Sequence, residues 1–292
     1  MVATKTPQHA RKSVGQPLPR TTKQAPLPGA ATTAPKKAPA ISRGRQKRAQ
    51  RIVIYGPGGV GKSELCSLLP AAGIEPLFLD IEDGSGELDV ARIASDQLAD
   101  LDAIRAVLRN RDLLAPFGAV VVESLTRAEE LCVAWTLANV KTEKGVQPKS
   151  IESYGYGKGY MHVFETFLRL LGDLDELARS GKHVICTAHE CTASVPNPSG
   201  EDWIRYEPRL QSAAGGKASI RHRVKEWCDH LLFVGYDVAV NDGGKAAGAG
   251  TRTIHPIELP EHWAKSRSLS EPIGYERGDA ALWQQLFPHE EQ

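Results

Sequence analysis

No aspartate or glutamate precedes Glu64 in this 292-residue chain. Residues 1–51 hold twelve Lys or Arg and almost no large apolar side chains. A segment so poor in apolar surface cannot offset its ordering entropy by burial, which predicts a disordered basic arm over residues 1–50. Two readings of the arm stay open. It is a tether to nucleic-acid phosphates, densest at Arg43, Arg45, Lys47, Arg48 and Arg51, or it is a solubilising tail. Long apolar runs are also missing. None approaches the ~18–20 residues that span a bilayer. The first thirty residues lack the apolar core of a secretory signal, and the seven prolines before position 50 oppose an amphipathic presequence helix.

The five cysteines form no C-x-x-C pair, a pattern that fits reduced thiols in a cytosol. His183, Cys186, His189 and Cys191 lie close in sequence, but strand alternation sends them to different faces. They read as buried strand residues, with no structural metal expected.

What remains is an anionic body, with 24 basic and 35 acidic residues after position 51. Short apolar runs alternate there with helical patterns, as in a parallel sheet with crossover helices. Strands are predicted at residues 52–55, 77–81, 119–123, 183–187 and 231–234. Helices are predicted at 98–108, 125–140 and 161–178. Residues 237–258 read as a hairpin around a glycine-rich turn at 241–250, and 279–287 as a short closing helix.

Gly56, Pro57, Gly58, Gly59, Val60, Gly61, Lys62 and Ser63 match G-x-x-x-x-G-K-[ST] at every fixed position. An apolar strand enters this loop and a helical pattern leaves it, the context of a P-loop. Its amides and the helix N-terminus face a phosphate, Lys62 reaches the β- and γ-phosphates of ATP, and the Ser63 hydroxyl holds Mg²⁺. A second magnesium-side carboxylate is expected at the end of a neighbouring strand, where Ala-Val-Val-Val-Glu supplies Glu123. The run Leu-Phe-Leu-Asp-Ile-Glu also ends in carboxylates. Alternation puts Asp80 and Glu82 on one face, and either could polarise an attacking water.

These segments resemble the RecA-like ATPase core, and most closely the AAA-domain ATPases of bacteriophages, which are single-strand annealing or recombination proteins. Further matching stretches are S-I-E-S-Y-G-Y-G-K-G-Y at 150–160, V-I-C-T-A-H-E at 184–190, K-E-W-C-D at 225–229 and A-K-S-R at 264–267. The resemblance spans roughly residues 51–270. It implies an α/β fold, a mostly parallel sheet with helices on both faces, filling residues 51–292 with a hairpin and finger segment near 237–270. It implies ATP–Mg²⁺ hydrolysis, single-stranded DNA as partner, and self-association into a ring or filament. By the resemblance Glu82 activates water, ahead of Asp80, and His189 senses the γ-phosphate. Lys265 and Arg267 resemble cationic fingers that complete a neighbour's site, and Glu123 stands where the family usually has Asp. Tyr154, Tyr156, Lys158 and Tyr160 in one loop, and Trp203, Arg205 and Tyr206 in a second loop at 190–223, occupy positions like the DNA-facing loops of RecA. They combine cations with rings on which bases stack. Two rivals remain: a small-molecule or nucleoside kinase on the same P-loop, and a DNA-binding module that holds ATP without turnover.

Overall fold

The computed structural model describes residues 41, 43–44, 48–213, 218–240 and 246–288. The body is one compact unit, Gln46–Gln292. The predicted disordered arm lies outside the described residues, apart from Ile41, Arg43, Gly44 and the stretch 48–50. That last stretch corrects the expected boundary. Ala49 is buried, Arg48 donates to Asp229 at 2.7 Å, and the Gln50 amide donates to His183 Nδ1 at 3.1 Å. Residues 48–50 therefore pack with the body.

In chain order the elements are β1 (Arg51–Gly56), α1 (Lys62–Ser67), β2 (Pro76–Asp80), β3 (Ala91–Ile93), α2 (Leu101–Arg109), α3 (Arg111–Leu114), β4 (Ala119–Glu123), α4 (Leu125–Asn139) and α5 (Lys158–Arg179). There follow β5 (His183–Val195), β6 (Trp203–Pro208), α6 (Ile220–Trp227), β7 (His230–Val240), β8 (Ala246–His255), β9 (Ile273–Gly274) and α7 (Ala281–Leu286). The sheet runs β3-β2-β4-β5-β1-β7-β8-β9. The first six of these strands are mutually parallel, and β8 and β9 are antiparallel additions.

Alternation along the buried strands builds two cores. Val53, Tyr55, Leu79, Val122, Val184 and Leu231 pack against α2, α4, α5 and α6. Ile52, Ile54, Phe78, Val121, Ile185 and Val234 pack against α1 and α7. The product is the expected α/β architecture, a mostly parallel sheet with helices on both faces. Continuous Val/Ile/Leu runs are what a strand buried on both faces requires.

Three expectations need correction. Residues 190–223 are not an irregular loop. β5 continues through polar residues to Val195 and pairs with β6 as an antiparallel hairpin, and α6 follows. The glycine-rich turn is shorter than expected, because β8 already begins at Ala246; only 241–245 lie outside the described residues. Asp80 and Glu82 do not share a strand face, since β2 ends at Asp80.

Candidate functional site

Parallel topology gathers the carboxyl ends of β1, β2, β4 and β5 at one edge, the usual ligand position in open α/β sheets. Register sets Gly56 beside His189 and Asp80 beside Glu123. At Gly56 only glycine fits, because a Cβ there would stand 2.1 Å from the Val234 carbonyl oxygen. The chain then turns through residues 57–61 into α1, whose first residue is Lys62.

Lys62 is 7% exposed, and its ammonium donates to the carbonyls of Gly56 at 2.9 Å and Pro57 at 2.8 Å. Burial lowers its pKa, while the carboxylates of Glu123, Glu190 and Glu82 oppose that shift. The amides of Gly59, Gly61, Lys62 and Ser63 meet no protein acceptor among the described residues. They form a run of free donors at a helix start.

Glu123, at the end of β4, is 5% exposed. Burial raises its carboxyl to about 7, while the nearby Thr187 and Ser63 hydroxyls and the charge of Lys62 oppose the shift. Its Oε2 is buried without a hydrogen-bond partner. A buried, unsatisfied carboxylate oxygen beside a serine hydroxyl is a donor set suited to a hard divalent cation. Mg²⁺ fits these residues.

Glu82 lies just beyond β2. Its Oε1 accepts from the Ser124 hydroxyl at 2.6 Å, and its Oε2 lies 3.1 Å from His189 Nε2. Ser124 also caps α4 by accepting from the Arg127 amide. Asp80 is spent elsewhere: it accepts from the amides of Gly84 and Ser85 and from the Ser85 hydroxyl, which closes the turn after β2. The structure thus brings together the P-loop, Glu123, Glu82 and His189.

It does not bring Lys265 and Arg267 to this protomer's loop. Both lie at the amino end of β7, the far end of the sheet. Lys265 Nζ donates to the carbonyls of Lys225 and Cys228, each at 2.7 Å. Arg267 pairs with the fully buried Asp229 at 2.9 Å and is itself 53% exposed.

The aromatic loop residues divide. Tyr156 is fully exposed and Tyr160 partly so. Tyr154 donates to the Val140 carbonyl at 2.7 Å, and Lys158 is paired with Glu143. Trp203 sits at the end of the β5–β6 pair. Arg205 is bound by Glu207 and Glu258 over the Trp263 ring, and Tyr206 stacks on Phe233 with ring centroids 5.3 Å apart. Of the Cys/His group, His183 accepts from Gln50 and Cys186 is buried in the core. Sequence reasoning missed Ser124 and Thr187, whose only signal was their place at the carboxyl ends of β4 and within β5.

Fold and site together define a P-loop NTPase domain. A profile of the family described as "AAA domain" matches residues 48–268, and the chain belongs to that family. No curated protein matches the chain. Among solved structures it is similar to the RadB recombinase, with 16% identity over 71% of this chain and 80% of the other, at TM-score 0.37. It is similar to a KaiC-like protein of the hyperthermophilic archaeon Pyrococcus horikoshii OT3, with 12% identity over 79% and 87%, at TM-score 0.43. An ATPase from the type III secretion system of pathogenic bacteria matches with 16% identity over 64% and 52%, at TM-score 0.39. No helix among the described residues is long and apolar enough to cross a membrane.

Proposed function

We propose that this chain binds ATP with Mg²⁺, hydrolyses it, and acts with single-stranded DNA as a self-associating RecA-like ATPase in recombination or strand annealing, of the kind bacteriophages encode. One observation carries the reading: a P-loop lysine and serine stand against the buried Glu123, with a second carboxylate, Glu82, held one strand away.

The loop amides and Lys62 bind the phosphates. Ser63 and Glu123 would hold Mg²⁺, which supplies positive charge against the phosphate oxygens. Glu82 accepts a proton from the attacking water through the oxygen that His189 or Ser124 releases. His189, hydrogen-bonded to Glu82, couples the γ-phosphate position to that carboxylate. Arg267, half exposed though paired with Asp229, is the finger better placed to reach a neighbouring copy, whereas Lys265 is engaged with α6. Tyr156 and Tyr160 are the rings available to bases. A module that holds ATP without turnover is favoured by one observation, that both Glu82 oxygens are engaged.

Phosphate release with and without single-stranded DNA, alongside sedimentation, tests the reading. Wild type should turn over and be stimulated. Glu82→Gln should bind ATP but lose turnover by about a hundredfold or more, as for loss of a general base, and Lys62→Ala should lose ATP affinity. Equal and negligible single-turnover rates for wild type and Glu82→Gln would leave only the binding module.

A further inference from the structure

The P-loop is held from behind by two side chains that no motif marks. Arg252, on β8, donates from Nη1 to the Val60 carbonyl at 2.9 Å. The Tyr275 hydroxyl lies within donating distance of two acceptors, 2.9 Å from the Gly61 carbonyl and 2.6 Å from Glu64 Oε2. The Arg252 guanidinium stacks 4.7 Å over the Tyr275 ring. Glu64 is fixed in turn by the Gly278 amide at 2.8 Å. Gly61 is at φ +99°, and a Cβ there would meet Arg252 Nη1 and the Tyr275 hydroxyl, each at 2.9 Å. The bracket therefore closes directly on the loop's backbone.

In a planar trans peptide the carbonyl and the N–H point in opposite directions. Drawing the Val60 carbonyl toward β8 aims the Gly61 N–H away from it, and drawing the Gly61 carbonyl toward Tyr275 does the same for the Lys62 N–H. Neither N–H has an acceptor among the described residues. We propose that Arg252 and Tyr275 are positioning residues for nucleotide phosphate: they fix two peptide planes so that the Gly61 and Lys62 amides face the β-phosphate before it arrives. The inference rests on the reading of this loop as a triphosphate site. Fixing donors in advance spares the ordering cost at binding. Burial and the neighbouring Glu64 carboxylate also push the Tyr275 phenol upward, so it stays a donor across the physiological range.

The test is calorimetric titration of ATP–Mg²⁺ and ADP–Mg²⁺ into the full chain. Tyr275→Phe keeps the ring and its stacking and removes only the hydroxyl. It should weaken both nucleotides by about three- to tenfold, the size of one hydrogen bond. Arg252→Ala should weaken both by tenfold or more, and Arg252→Lys, which retains a cationic donor, should recover part of the loss. Because the amides face the β-phosphate, ATP and ADP should lose equally. Melting temperatures report folding separately, since a merely structural role would lower them and leave the folded protein's affinity unchanged. Wild-type affinity in folded Tyr275→Phe and Arg252→Ala overturns the inference alone. A wild type with no affinity for ATP–Mg²⁺ removes the phosphate-site reading and this inference with it.

Discussion

His230 opens β7 with 2% of its surface exposed, its Nδ1 2.8 Å from the Ser266 hydroxyl. Burial lowers its pKa to about 4; Asp229 opposes the shift and Arg267 and Lys265 add to it. Between about 6.5, the unfolded value, and about 4, the unfolded chain holds a proton that the folded chain releases. His230 therefore costs no stability above pH ~6.5 and progressively destabilises the fold as pH falls to 4, by about 3 kcal/mol in full. His230→Gln should flatten the acid limb of the melting profile. Parallel wild-type and variant profiles from pH 7 to pH 4 would refute this account of the buried imidazole. Burial of this kind was not legible in sequence, whereas the P-loop was, because its chemistry is written in contiguous residues. The choice between Asp80 and Glu82 needed the fold. Alternation assumes the strand continues, and here the Asp80 side chain ends it by binding the next turn's amides.

At the scale of elements, the strands that pack on both faces were readable as apolar runs, and α2, α4 and α5 as helical periods. β6, α6 and the second half of β5 were not. Trp-Ile-Arg-Tyr-Glu-Pro and Ile-Arg-His-Arg-Val-Lys-Glu-Trp place apolar and charged residues side by side, and tertiary partners rather than local pattern decide their state. Side-chain ties between elements were hidden in the same way. Asp173 on α5 is bound by two cations from α2: Arg105 Nε at 2.6 Å, itself 15% exposed, and Arg109, which is 59% exposed. The exposed partner contributes little. Removing the carboxylate strands the Arg105 charge against the core, a loss of about 2–4 kcal/mol. Asp173→Ala should accordingly unfold at lower denaturant with an unchanged slope. Asp173→Ala combined with Arg105→Ala should cost less than the two losses added, because the second change removes the stranded charge. Strict additivity would show that the pair does not tie α2 to α5.

Over the whole molecule, charge is divided between the two parts of the chain: twelve cations and no acids up to residue 51, against 24 cations and 35 acids beyond it. Two of the twelve are already committed, since Arg48 and Arg51 bind Asp229, and Arg51 binds Asp175 as well. The other ten lie in residues 1–47. An anionic body repels a phosphate backbone, and two cations of the expected DNA loops, Lys158 and Arg205, are already paired with carboxylates. If single-stranded DNA is the partner, the electrostatic part of its binding falls to the arm. Each arm cation that displaces a counterion steepens the dependence of log K on log salt by about 0.7 for a single strand. Deleting residues 1–47, and leaving Arg48–Gln50 on the body, should flatten that slope by several units and weaken binding most at low salt. DNA-independent ATP turnover should stay within about twofold, because every residue of the phosphate site lies beyond the cut and surface changes remote from a site are small. A slope unchanged by the deletion would make the arm a solubilising tail and return the search for DNA contacts to the exposed rings of Tyr156 and Tyr160.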